Sequence, residues 1–186
     1  MSERTRWQKI ARRIRVPLGF VFAAVFLWLA RPTWQTMAES LVLVVPGVWL
    51  RAYASGYVKK NAELTRTGPY AHTRNPLYLG SMMIAFGFAI AAWSWIILVA
   101  LAILFAAIYL PTIRSEEAYL REHFAGFDAY AGQVPRLLPR LTAAKTAEAA
   151  GSFSRELYMK HREYNAGIGA IALYAALAAR LLFLKR

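Results

Sequence analysis

The chain has 186 residues, 58% of them hydrophobic, with 23 Lys and Arg against 10 Asp and Glu and a formal net charge of +13. It has no cysteine, which excludes disulfides, thiolate nucleophiles and Cys-ligated metals and leaves the redox compartment open. The apolar residues come in blocks rather than at the period of a soluble amphipathic helix, so the composition predicts an all-α, polytopic membrane bundle of one domain with about five transmembrane helices.

In chain order, Arg4, Arg6, Lys9, Arg12, Arg13 and Arg15 precede 15 uncharged residues, Val16 to Ala30. A basic stretch before an apolar one resembles a signal peptide, but the block ends in Leu27-Trp28-Leu29-Ala30-Arg31-Pro32, without the small-x-small pattern of a cleavage site. It is read as a retained first span, about 16–31. A second span, about 39–58, has Arg51 as the single charge between Glu39 and Lys59, and Pro46-Gly47 predicts a kink in it. From Arg74 to Arg114 no charge occurs for 39 residues, enough for two spans, about 77–92 and 95–113, turning at Trp93-Ser94-Trp95. The fourth helix is expected to continue past the membrane from Arg114 to Phe124 and to stop at Gly126. A short aromatic stretch, Phe127 to Tyr130, follows it, and Pro135 and Pro139 then prevent a regular helix. Residues 140–153 read as a linker. Ser154, with Glu156 in the first turn, is the expected N-cap of a last helix whose hydrophobic part runs from about Tyr164 to Leu184. The division is a core over 1–139, with 114–139 cytoplasmic, and a tail over 140–186 that belongs to the same domain.

The cations flank the spans. The expected outer segments carry only Arg31, so the chain is read as a multi-pass protein of the cell (inner) membrane with a cytoplasmic N-terminus, its positive charge facing anionic lipid headgroups. Nucleic acid is not expected as a partner, because no reading module or base-stacking platform accompanies the charge.

The chemistry-bearing residues gather at the mouth of the uncharged hairpin. Asn75-Pro76 is a helix start, with asparagine as N-cap and proline at the first position, and the free backbone donors of such an end can hold a carboxylate or phosphate. Tyr70 and Tyr78 flank it, either as interfacial tyrosines beside a capped helix or as aromatic faces for an adenine ring or a sulfonium cation. One of Glu116 and Glu117 is expected to face the bundle and the other to be solvated. The inward carboxylate either pairs with Arg114 or Arg74 or holds the amine or ribose hydroxyls of a cofactor. Arg51 either snorkels or turns inward to bind an acidic group. His72, His123 and His161 are too far apart for a local ligand pair, so no metal is expected. His72 is the best placed as a base, against the alternative of a plain turn histidine. No Gly-x-Ser-x-Gly elbow, Walker loop or soluble dinucleotide fingerprint occurs.

Taken together, Gly68-Pro69-Tyr70, Arg74-Asn75-Pro76-Leu77-Tyr78-Leu79-Gly80, the apolar hairpin, Glu116-Glu117-x-x-Leu120, Phe124, Tyr130 and Pro139 resemble the isoprenylcysteine carboxyl methyltransferase family and the related phospholipid methyltransferases, over about residues 60–139. The resemblance implies a helical membrane enzyme with a cytoplasmic pocket for S-adenosylmethionine and lipophilic acceptors arriving from the bilayer. Carried over to this sequence, the cofactor pocket comprises Glu63, Leu64, Thr65, Tyr70, His72, Arg74, Asn75, Pro76, Leu77, Tyr78, Glu116 and Glu117. Arg114 is the expected catalytic cation, set against an acceptor of isoprenylcysteine-carboxylate type.

Two positions depart from the family's pattern. Its usual Arg-His-Pro is Arg74-Asn75-Pro76 here, and an asparagine cannot titrate. The arginine expected one turn before the first glutamate is replaced by Thr112, which opens the identity of the acceptor. Arg162 or Glu163, at the start of the tail helix, is a further candidate for the acceptor site. The alternatives are phospholipid or amine N-methylation, an NADPH-dependent sterol-reductase-like enzyme, and a non-catalytic membrane scaffold.

Overall fold

A computed structural model of the protein describes residues 22–59, 63–144 and 151–183. The basic stretch Arg4 to Arg15, the first part of the expected first span and Lys60 lie outside the described residues. Residues 22–29 are helical (α1). There follow α2 (Trp34–Ser55), a 3-10 turn (Gly68–Ala71), α3 (Pro76–Ala92), α4 (Trp95–Leu104), a π-helical turn (Phe105–Tyr109), α5 (Leu110–His123), α6 (Phe127–Gln133), α7 (Arg155–His161) and α8 (Tyr164–Phe183). No strand occurs among the described residues.

Among the described residues, three helical runs are long and apolar enough to cross a membrane: Trp34–Ser55, Trp95–His123 and Tyr164–Phe183; Pro76–Ala92 is a shorter apolar helix of 17 residues. The outward faces carry Val42, Val45, Ile96, Val99, Ile103 and Ile171. Such a surface is stable against lipid and not against water. The molecule is a helical membrane bundle.

α2 begins five residues before Glu39, where the uncharged run alone would start it, because Thr33 and Thr36 form a capping box. Each hydroxyl accepts from the other residue's backbone N–H at 3.0 Å, which closes the first turn. Glu39 is then accommodated inside the helix by the Gln35 side-chain amide at 2.8 Å. The helix runs on through Pro46.

α2 and α3 make the most extensive packing of the bundle, and glycines permit it. A Cβ at Gly80 would lie 2.8 Å from the Gly47 carbonyl oxygen, and one at Gly87 would lie 2.5 Å from the Val44 side chain. Backbones this close gain dispersion contacts along the whole crossing, the usual source of helix association in lipid.

The two ends of the bundle differ. At one end the Thr36 hydroxyl donates to the Ala91 carbonyl (3.1 Å), Ser40 and Tyr174 share a hydrogen bond (2.6 Å), and Arg180 donates to the carbonyls of Ala30 and Trp28 (2.9 and 3.2 Å). Trp93 turns the hairpin there with φ of +47°. The other end gathers the 63–75 segment, the charged end of α5, residues 124–144 and the α7–α8 corner.

The tail differs from the single helix expected of it. Ser154 caps α7, accepting from the Leu157 N–H at 3.3 Å, but the chain breaks at Arg162, with φ of +54°, before α8 starts. His161 Nδ1 against the Ser55 carbonyl (3.1 Å) and Glu163 against Arg51 (2.8 Å) hold the corner to α2. Both anchors require the change of direction. The expected linker is also strapped down where it is described. Arg140 N–H donates to the His72 carbonyl (3.0 Å), Ala144 N–H to that of Ala71 (2.9 Å), and Ser154 N–H to that of Gly56 (2.9 Å).

Candidate functional site

The loop from Gly68 to Pro76 supplies half of the site. Gly68 has φ of +59°, and a Cβ there would meet the Tyr57 ring at 2.5 Å, so only glycine admits this turn. Pro69 then starts the 3-10 turn and Tyr70 is folded inward, 7% exposed. The Tyr70 carbonyl accepts from the Tyr130 hydroxyl at 2.8 Å. Burial pushes both phenols well above their ordinary range, so each is a neutral donor at any physiological pH.

Behind it, Glu117 is the centre of a buried network. Its oxygens receive Arg74 Nε (2.9 Å), Arg136 Nε (2.9 Å) and Asn75 Nδ2 (3.2 Å). Arg74 also donates to the carbonyls of Ala131 and Val134 at 2.7 and 2.9 Å, and the Thr73 hydroxyl donates to that of Leu137 at 3.0 Å. Three segments distant in sequence are thereby fixed to one carboxylate. The inward glutamate is Glu117 and its partners are Arg74 and Arg136, with Arg114 elsewhere. Asn75 keeps the N-cap position of α3 but makes no side-chain cap. This corrects the capping role expected of it, and the reason is that its amide is committed to Glu117 and to the Arg136 carbonyl (3.1 Å).

Glu116, one residue earlier, faces outward and accepts from the Tyr78 hydroxyl at 2.8 Å. The Tyr78 ring packs edge-on to Tyr109, with centroids 5.6 Å apart and planes at 81°. Tyr109 closes the π-helical turn just before Pro111. Proline has no N–H for the carbonyl four residues back, and widening the preceding turn re-registers the helix. An open carboxylate flanked by two aromatic rings is a site for a cation or a donor-rich group.

The other expected residues are distributed as follows. Glu63 is exposed and pairs with Lys59 at 3.1 Å. Leu64 packs on the Phe127, Tyr130 and Val134 cluster. Thr65 has a buried hydroxyl with no hydrogen-bond partner among the described residues. His72 is half-buried, its Nδ1 against the Arg140 carbonyl at 2.8 Å. Pro76 is fully buried, and the Leu77 carbonyl accepts from Arg51 Nη1 at 3.2 Å. Arg114 is exposed. The structure thus joins Arg74, Asn75 and Glu117 in one cluster and Tyr78 with Glu116 in another, and places Glu63 and Arg114 outside both.

Two participants, Tyr109 and Arg136, carry no reading in the sequence analysis, and of Arg51 and Glu163 only the pairing was missing. Tyr109 stands seven residues before Glu116, on the same helical face, beside a proline inside an apolar run; that pairing is a usable signal. Arg136 lies in a proline-bounded loop whose path nothing local announces. The pairing of Arg51 with Glu163 joins residues 112 positions apart.

The phospholipid methyltransferase family matches residues 34–126. Among curated proteins, the chain is 36% identical over 114 residues to the nickel-cobalt-cadmium resistance protein NccN of Alcaligenes xylosoxydans xylosoxydans, covering 59% of this chain and 53% of that one. It is 31% identical over 137 residues to the cobalt-zinc-cadmium resistance protein CzcN of Cupriavidus metallidurans, covering 69% of this chain and 62% of that one. The chain therefore spans between half and two thirds of the length of these relatives. No solved structure matches it significantly.

Proposed function

Because the chain belongs to the phospholipid methyltransferase family, we propose that it transfers the methyl group of S-adenosylmethionine to a lipophilic acceptor held at the membrane surface, a carboxylate of isoprenylcysteine type. The observation that carries this reading is the Tyr78–Glu116 pair with Tyr109 beside it, which joins the start of the apolar hairpin to its end. The residues fit the donor. Glu116 offers an open carboxylate to an amine or a ribose diol, the Tyr78 and Tyr109 rings offer faces to a sulfonium, and the Thr65 hydroxyl has no hydrogen-bond partner among the described residues. The donor supplies an electrophilic methyl group.

The chain's own part is alignment. Glu117, Arg74 and Arg136 fix the loop that carries Tyr70 and, through Asn75, the start of α3 that carries Tyr78, and the buried Tyr70 ring keeps water from that side. Arg114, exposed where the apolar helix becomes charged, attracts an anionic acceptor to the surface. One oxygen of the acceptor carboxylate bonds to the methyl carbon as the carbon–sulfur bond breaks; the electron pair stays on sulfur and no proton moves. An amine acceptor would need a base instead. The candidate for that is His72, whose Nδ1–H donates to the Arg140 carbonyl and leaves Nε2 as the nitrogen with a free lone pair.

The names of both relatives favour a role in metal resistance, and the same chemistry accommodates it. Methylating a lipid carboxylate removes one negative charge from the surface, and with it part of the surface's attraction for divalent cations.

Calorimetry on the folded chain is expected to show binding of S-adenosylmethionine and of its demethylated product, weakened about tenfold or more by Glu116→Gln. Labelled methyl transfer into prenylcysteines and membrane lipids is expected to yield base-labile methyl esters. Failure of the folded protein to bind either ligand overturns the proposal.

A further inference from the structure

An open-sided cavity of about 470 Å³ lies between α2, α3 and α8. Its walls are apolar, with Ile84 and Phe88 on one side and Leu173 on the other; its polar end holds Arg51, Arg162 and Glu163. That is the volume of a site for one small amphiphile. α8 lies wholly beyond residues 34–126, the part of the chain that matches the family.

The charges at the polar end do not balance. Glu163 grips Arg51 side-on, with Nε to Oε2 at 3.0 Å and Nη2 to Oε1 at 2.9 Å, while Arg51 Nη1 holds the Ser81 hydroxyl and the Leu77 carbonyl. Arg162, in its left-handed conformation, has no ion pair among the described residues. The lining thus carries two arginines and one carboxylate, and that carboxylate comes from the tail corner rather than from the α2–α3 pair. Arg51 is held in place by backbone and hydroxyl contacts that do not depend on Glu163. On α3, Ser81 at the polar end of the cavity and Tyr78 of the Tyr78–Glu116 pair are one turn apart.

We propose that this cavity is the acceptor subsite, that it takes a single-chain amphiphile from the bilayer headed by a carboxylate, and that Arg51 receives the head in the place Glu163 now fills. This rests on the methyltransferase reading above and adds the class of acceptor and the residues that select it. The apolar walls take the chain, and the Arg51 fork occupies one edge of the carboxylate, leaving other lone pairs of its oxygens free. Arg162 neutralises Glu163 once it is displaced.

The full chain in phosphatidylcholine nanodiscs, with a diazirine-bearing fatty acid as probe, tests this. Cross-links are expected on Ile84 to Phe88 and on Ala166 to Leu173. Excess oleate is expected to abolish them, whereas methyl oleate and acetate leave them intact. Arg51→Gln is expected to lower the yield about tenfold and Glu163→Gln to raise it by a similar factor, a gain that misfolding cannot produce. Equal labelling of Arg51→Gln and the parent, or competition by methyl oleate as strong as by oleate, overturns the proposal by showing an unselective apolar cleft; competition by acetate overturns it by showing a site for free anions. S-adenosylmethionine binding, read separately on the same preparations, is expected to survive both substitutions. If it is absent in the parent while the labelling behaves as stated, the enzymatic reading falls and the carboxylate site stands; the opposite pattern removes only the site.

Discussion

Two adjacent glutamates show how one residue of helical offset separates a structural role from a chemical one. Glu117 is 4% exposed and shared by two arginines and an asparagine, whereas Glu116 faces outward with a single tyrosine partner. Removing one member of a buried ionic network leaves the others charged and unpaired, at a cost of about 3–5 kcal/mol; losing an exposed hydrogen bond costs about 0.5–1.5 kcal/mol. Glu117→Gln is therefore expected to lower the unfolding midpoint in detergent sharply, while Glu116→Gln leaves it nearly unchanged and instead weakens donor binding. Equal loss of stability in the two variants would mean that the roles have been divided wrongly. The sequence indicated that one glutamate turns inward, since i and i+1 point about 100° apart on a helix. It could not say which arginine meets it, because Arg74 lies 43 residues away and Arg136 19.

At the scale of elements, the helices were legible where a local cause sets them and obscure where a distant contact does. Asn75-Pro76 and Trp93-Ser94 bound α3 within a residue of expectation, because proline and a left-handed turn act locally. The early start of α2 follows from Thr33 and Thr36, a capping box in which threonine stands where glutamate or glutamine is usual. The tail was read as one helix because its alanines and leucines favour helix throughout; what breaks it at Arg162 is the reach of Glu163 to Arg51, which local propensity does not contain. The crossing of α2 and α3 has a sharper dependence on composition. A Cβ at Gly80 meets backbone at 2.8 Å, which cannot give way as a side chain can, whereas one at Gly169 has nothing within 4 Å. Gly80→Ala is expected to cost about 1–3 kcal/mol and to disturb Arg51, whose Cγ would lie 2.7 Å away. Gly169→Ala is expected to be neutral or to stabilise α8 by up to about 1 kcal/mol. Thermal unfolding of the two variants in the same detergent measures the contrast.

For the whole molecule, the distribution of charge argues for one orientation. A helix of 29 residues from Trp95 to His123 is about 44 Å long, against a hydrocarbon layer of about 30 Å, so its last third must emerge on one side. That third carries Arg114, Glu116, Glu117, Arg121 and Glu122, and Arg66, Arg74, Arg136 and Arg140 gather around it. At the far end of the described bundle, Arg31, Glu39 and Arg180 are the charged residues, and Arg180 is spent on the carbonyls that end α1. Because cations are retained on the cytoplasmic side, this distribution predicts that the Tyr78–Glu116 pair and the Arg51 cavity lie at the inner face. Because the chain has no cysteine, single cysteines report this directly. In intact cells, Ser94→Cys is expected to react with a membrane-impermeant maleimide, and Glu63→Cys only after the membrane is opened. Labelling of Glu63→Cys from outside would put the candidate site on the wrong side of its methyl donor, and no arrangement of tyrosines and glutamates would then rescue the enzymatic reading.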